Sequence, residues 1–187
     1  MYSGWLDFAP KILKWVFDRR TRLHHSGYRV EVICFAIDAE TRQKLLLTNP
    51  RAEPSLWVPP QEGVNGEETI EQAAVRCLKM ELGLSEGVLH YRRSTWIGKR
   101  SLPPERVDER DLEGSFRKYV SKEAMIGKAY YAALVHVPSR VTFKLNQAEV
   151  IDTQWVLLNE VMTNLNGVDL EKLDILVTSL KRLHLMK

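Results

Sequence analysis

A chain of 187 residues, 44% hydrophobic and 27% charged, can bury a core without metal or disulfide staples, which excludes disordered and staple-dependent classes. Its net charge of +3 and the absence of a dedicated nucleic-acid-binding motif give no sign of an RNA- or DNA-binding module. With only two cysteines, Cys34 and Cys77, at no ligand or redox spacing, and no transmembrane-length or secretory apolar stretch, a cytoplasmic, intracellular protein is expected, with organelle import left open.

Residues 1–28 are expected to form a basic amphipathic helical extension. Pro10 suits a first helical turn, and Ile12, Leu13, Val16 and Phe17 then make an apolar side among Lys11, Lys14, Arg19, Arg20 and Arg22. Packing on its own domain, docking of a protein partner and contact with an anionic membrane are the readings open to it. The main domain is expected over residues 29–187. Arg29–Ile37 reads as a buried strand, and the polar turn Asp38–Arg42 leads into a second apolar run, Lys44–Thr48, making a hairpin.

The stretch from Trp57 to Leu84 reads as a loop followed by one well-signalled helix. Pro59 and Pro60 stiffen the loop, while Gly63 and Gly66 allow close backbone approach. Thr69 with Gln72 makes a capping box, and Gly83 supplies a left-handed stop with Leu84 packing beneath it, so the helix is expected over Ile70–Leu82. Glu67, Glu68 and Glu71 crowd its positive end.

Arg92 to Lys128 is rich in base: Arg92, Arg93, Lys99, Arg100, Arg106, Arg110, Arg117, Lys118 and Lys122 are interrupted by acids. With Pro103 and Pro104 inside it, a partly loop-like segment is expected. There Arg92, Lys99, Arg100 and Lys128 are candidates for gripping phosphates of a nucleotide or an RNA 5′ end, against a bland reading as a solvated mixed-charge loop. Ala129–Val137 is a strong strand, Thr153–Leu157 a short one, and Asp169 opens a final helix with Leu170, Leu173, Val177, Leu180 and His184 on one stripe.

The spacing from Glu62 to Leu84 resembles the Nudix box: glycine, five residues, glutamate, seven residues, then Arg-Glu-aliphatic-any-Glu-Glu-any-Gly-aliphatic. Glu68, Arg76, Leu78, Glu81, Gly83 and Leu84 match; Glu62 stands for the leading glycine, which Gly63 partly covers, and Cys77 and Met80 replace two glutamates. The resemblance implies an α/β fold with a mixed β-sheet between helices. It also implies a structural role for Gly63, Glu68, Arg76 and Gly83, and Mg²⁺ or Mn²⁺ held by the helix glutamates. Here that helix face offers one carboxylate, one thiol and one thioether, and hard divalent cations prefer oxygen. Glu81 is the remaining candidate ligand and catalytic group. Glu149, six residues before Trp155, is similar to a late glutamate of RNA pyrophosphohydrolases and dinucleoside polyphosphate hydrolases; Asp152 and Glu160 are the alternatives.

Cys77 and Met80 are expected to fill core on the inner helix face. A nucleophilic Cys77 would need a base beside it, and the five histidines are scattered. Two functions follow: a non-catalytic nucleotide- or diphosphate-binding or assembly module, and an active metal-dependent pyrophosphohydrolase of nucleoside diphosphate-linked substrates.

Overall fold

The computed structural model describes residues 19–66, 68–103, 124–165 and 167–186. Expectations for the first eighteen residues, Glu67, Pro104, Arg106, Arg110, Arg117, Lys118 and Lys122 lie outside them. The elements run α1 (Arg19–His25), β1 (Tyr28–Asp38), β2 (Lys44–Pro50), β3 (Gln61–Gly63), α2 (Ile70–Leu82), β4 (His90–Ser101), β5 (Gly127–Val137), β6 (Val150–Leu157), α3 (Val161–Asn164) and α4 (Leu170–Arg182).

The chain divides into two compact units, Met1–Val30 with Lys99–Ala129 and Glu31–Gly98 with Tyr130–Lys187. In the first, the Ile126 amide donates to the Gly27 carbonyl at 2.9 Å, and Leu102 donates to Ile126 at 3.0 Å. Lys99 lies 4.7 Å from the centre of the Tyr28 ring, a cation–π contact.

The larger unit carries the site. Its sheet belongs to a six-stranded array in the order β4-β5-β1-β2-β6, with β3 also on β1. β1 is antiparallel to β2, with Ile37 opposite Leu45, and to β3, with Glu31 opposite Gly63 and Ile33 opposite Gln61. β2 is antiparallel to β6, with Leu46 opposite Trp155. The end of β1 lies beside the end of β5, where the Ala39 amide donates to Val137 at 2.9 Å, so this pair runs parallel and the sheet is mixed.

Strand periodicity assigns the two faces. Ile33, Phe35 and Ile37 are buried with Leu176, Leu180 and Leu183 from the α4 region, in a core that also takes Leu45, Leu47 and Val156. Cys34, between them in sequence, faces the other way and its thiol donates to the Ala74 carbonyl of α2 at 3.8 Å. The mixed sheet therefore lies between helices.

Helix α2 begins and ends where its caps place it. Thr69 accepts from the Gln72 amide, Gln72 accepts from the Thr69 amide, and Gly83 closes the helix at φ 64°. A Cβ on Gly83 would stand 2.6 Å from the Lys144 Cβ and carbonyl oxygen, so glycine is required on two counts.

Five expectations need correction. Arg92, Arg93, Lys99 and Arg100 lie on a twelve-residue strand, not in a loop. Its period-two pattern is masked because long arginine and lysine stems cover sheet surface that branched apolar residues would otherwise take. β6 starts at Val150 rather than Thr153, and β3 is a strand within the segment read as loop. The buried row of α4 is Leu176, Ser179 and Leu180, with Leu183 just beyond, whereas Leu170 is 84% exposed and His184 exposed; contact with the Ile33–Ile37 face selects this row. Cys77 is fully buried but Met80 is 47% exposed, so Met80 does not fill core.

Candidate functional site

The loop-to-helix turn is held by Arg76. From α2 its Nε donates to Glu68 Oε1 at 2.8 Å and one terminal nitrogen to Glu68 Oε2 at 2.9 Å, a bidentate fork. The same nitrogen reaches the Gly63 carbonyl at 2.6 Å, and the other lies 3.5 Å from Glu62. Glu68 in turn accepts from the Asn65 amide at 3.0 Å. One guanidinium thus ties β3, the loop and the helix together, and it fixes where the Glu62 carboxylate sits.

A second loop delivers Glu149. The Lys144 amide donates to Leu82 and the Asn146 amide to Glu81, both at 2.9 Å, so this loop docks on the C-terminal turn of α2. The Asn146 carbonyl then accepts from the amides of Glu149 and Val150, each at 2.9 Å, turning the chain into β6 with Glu149 at the rim.

Glu81 sits where these pieces meet. It is buried at 8% exposure, and its Oε1 accepts from the Cys77 thiol at 3.4 Å. Burial pushes its carboxyl up to about 8; the Cys77 hydrogen bond and the Gln61 amide oppose the rise, and repulsion from Glu62 and Glu149 adds to it. Glu149, although exposed, is also raised, by partial desolvation and then by Glu62. Glu62, Glu81 and Glu149 therefore share one electrostatic neighbourhood. The Cys77 thiol is pushed well above its ordinary value by its hydrogen bond with Cys34, by burial, and by Cys34, Glu81 and Glu62. Such a thiol stays protonated and is no nucleophile. Tertiary contact between Cys34 and Cys77 was invisible in their spacing.

Of the remaining candidates, Asp152 is exposed and its Oδ1 accepts from the Thr153 amide at 2.7 Å, and Glu160 is exposed next to α3. Arg92 lines a cavity on the α4 side with Arg42, Arg93, His136 and His184. Lys99, Arg100 and Lys128 belong to the smaller unit. Glu62 is the group that sequence reasoning left without a role, because a carboxylate in place of a glycine has no helical phase to say where it points.

The NUDIX domain model matches residues 27–175. The chain belongs to the Nudix family. Solved structures agree in fold: an Ap4A hydrolase from C. elegans, in a binary complex, is 16% identical with a TM-score of 0.54, over 83% of this chain and 98% of that one. The dihydroneopterin triphosphate pyrophosphohydrolase of E. coli is 15% identical with a TM-score of 0.55, over 82% and 98%. A bifunctional NMN adenylyltransferase/ADP ribose pyrophosphatase from Francisella tularensis, complexed with AMP and a manganese ion, is 18% identical with a TM-score of 0.55, over 95% of this chain and 46% of that one. No curated protein matches.

Nudix hydrolases generally use divalent metals such as magnesium or manganese. The donor set tests whether this box suits them. Cys77 is a buried thiol, Met80 an exposed thioether, and Glu81 the one carboxyl on this helix face. Among the described residues no three of His, Cys, Asp and Glu group so as to hold a metal ion. Oxygen-seeking Mg²⁺ and Mn²⁺ do not fit this face as a multi-ion cluster. Among the described residues no helix is long and apolar enough to cross a membrane.

Proposed function

We propose that this Nudix chain is a non-catalytic module that binds a nucleotide or diphosphate group, or serves assembly. The observation that carries the reading is the donor set on this helix face: the last box glutamate, Glu81, is buried and accepts from the thiol of Cys77, which stands where a second glutamate is expected. A thiol and a thioether in place of carboxylates are poor donors for a hard cation. Losing positioned acid–base and charge-stabilising groups costs on the order of 100-fold or more each in rate. In this reading Gly63, Glu68, Arg76 and Gly83 preserve the loop–helix scaffold, and Lys99, Arg100 and Lys128 are candidate phosphate-binding cations, whereas Arg92 lines the cavity on the α4 side and does not serve the box. The basic residues 1–28 form the candidate surface for a protein partner.

A second reading, metal-dependent hydrolysis of a dinucleoside polyphosphate or an RNA 5′ end, is favoured by one observation. Glu62 and Glu149 reach the neighbourhood of Glu81 from outside the helix, so carboxylates are present although not at the positions of Cys77 and Met80. In that reading Glu81 and Glu149 are the ligands and the catalytic groups.

Phosphate release from capped and dinucleotide substrates, with Mg²⁺ and Mn²⁺, decides between them. The module reading expects no turnover in the natural chain and its appearance in Cys77→Glu with Met80→Glu. Metal-dependent turnover that disappears in Glu81→Gln would overturn it.

A further inference from the structure

On the α4 side of the sheet, at the far end of β1 from the box, lies a cavity of about 490 Å³ walled by Arg42, Arg92, Arg93, His136 and His184. Three observations set it apart from the box. Ile37, part of its floor, lies on the face of β1 opposite Cys34, whose thiol contacts α2. Ile37 is also six residues from Glu31, the partner of Gly63, or about 20 Å along a strand. And neither Glu62, Glu81 nor Glu149 lines it.

The cavity is lined by cations and by no acid. None of its five basic residues makes an ion pair with an acid among the described residues. The nearby acids are engaged elsewhere: buried Asp38 accepts from the Glu40 and Thr41 amides and the Thr41 hydroxyl, and Glu40 accepts from the amide and hydroxyl of Ser139. His136 is held below its ordinary value by burial and then by Arg92, Arg42 and His90, a sign that positive potential converges there.

The C-terminus of α4 would oppose an anion, but Arg93 caps it by donating to the Leu183 carbonyl at 2.6 Å. The helix ends in a Schellman turn, with the Leu185 amide on Leu180 and the His184 amide on Lys181. His184 occupies the left-handed position, φ 55°, where glycine is usual. Among the described residues the only other non-glycine with positive φ is Arg42, at 56°, and both line this cavity. Below the cations the walls are aliphatic, with Ile37 and Leu134 from the sheet.

We propose that this cavity is a ligand site separate from the Nudix box, suited to a small molecule that joins a phosphate to a planar, weakly polar body of mononucleotide size. The volume lies within the range of small-molecule sites. Arginine side chains there supply planar donors for phosphate and faces for stacking, while the aliphatic floor favours a ring over a free inorganic anion.

The full chain, held in chelator, is titrated calorimetrically with AMP, ribose 5-phosphate, inorganic phosphate and adenosine. AMP is expected to bind the cavity about tenfold or more tighter than phosphate or adenosine, and only the event lost in Arg92→Gln is assigned to it, any AMP held at the box being the event that Arg92→Gln leaves in place. Arg92→Gln, a surface change on β4, is expected to weaken AMP by about tenfold or more. As a check independent of substitution, the ring protons of His136 and His184 should shift on AMP addition. No AMP binding at millimolar concentration, AMP binding unchanged in Arg92→Gln, or histidine signals that stay put while AMP binds would each overturn the proposal. Equal affinity for AMP and inorganic phosphate would overturn its specificity for a ring.

Discussion

Replacing Glu81 with glutamine should make the protein more stable at neutral and alkaline pH. The carboxyl is raised from 4.5 to about 8 in the fold, chiefly because burial disfavours its charge. The unfolded chain therefore ionises first as pH rises. The contribution of Glu81 to stability is greatest below about 4.5, falls through the interval up to about 8, and levels off above it. At about 1.4 kcal/mol per unit, the shift corresponds to a ceiling of about 5 kcal/mol by pH 8. Asp38 works with the opposite sign, being lowered to about 2, so its contribution is lost only in acid and does not enter this window. Glutamine keeps the shape and can still accept from the Cys77 thiol, but has no charge to bury. Urea unfolding of both proteins at pH 5, 6, 7 and 8, in chelator, measures the effect. The natural chain should lose several kcal/mol across the series while Glu81→Gln changes far less, so that the variant is the more stable at pH 8. A flat profile for the natural chain, or a variant less stable at pH 8, would refute the assignment of a buried neutral carboxyl.

Gly83→Ala should destabilise by more than about 1 kcal/mol, read from the urea midpoint, since the residue has φ 64° and a Cβ would meet the Lys144 backbone. Arg76→Lys loses the fork on Glu68 and the bond to Gly63, and should cost on the order of 1–3 kcal/mol with faster amide exchange in Asn65 and Gly66. Thr69→Ala removes the capping box at an exposed helix start, for a loss of about 1 kcal/mol in thermal or urea unfolding. His184→Gly relieves a left-handed residue at the end of α4 and should raise stability by up to about 1 kcal/mol.

Local signals were legible wherever local chemistry decided the outcome. Thr69, Gln72 and Gly83 bound the box helix at Ile70 and Leu82 because capping bonds and a left-handed stop involve only neighbours along the chain. The continuous apolar run of β1 and the Asp169 cap of α4 belong to the same class. Signals failed where side-chain chemistry hid the period, as in β4, whose arginines read as loop. They failed in part where two helix faces were comparably apolar: the expected Leu180 is buried, but packing on the sheet set Leu176 beside it and left Leu170 exposed.

The sequence by itself determined the family pattern and the loss of two box glutamates, because these are matters of residue identity and spacing. Tertiary structure alone decided which groups stand beside one another. The proximity of Cys34 to Cys77, the approach of Glu62 and Glu149 to Glu81, and the gathering of five basic residues from four separate stretches each join positions far apart in the chain. Charge burial and field strength depend on distance through space, and no spacing along the chain encodes that.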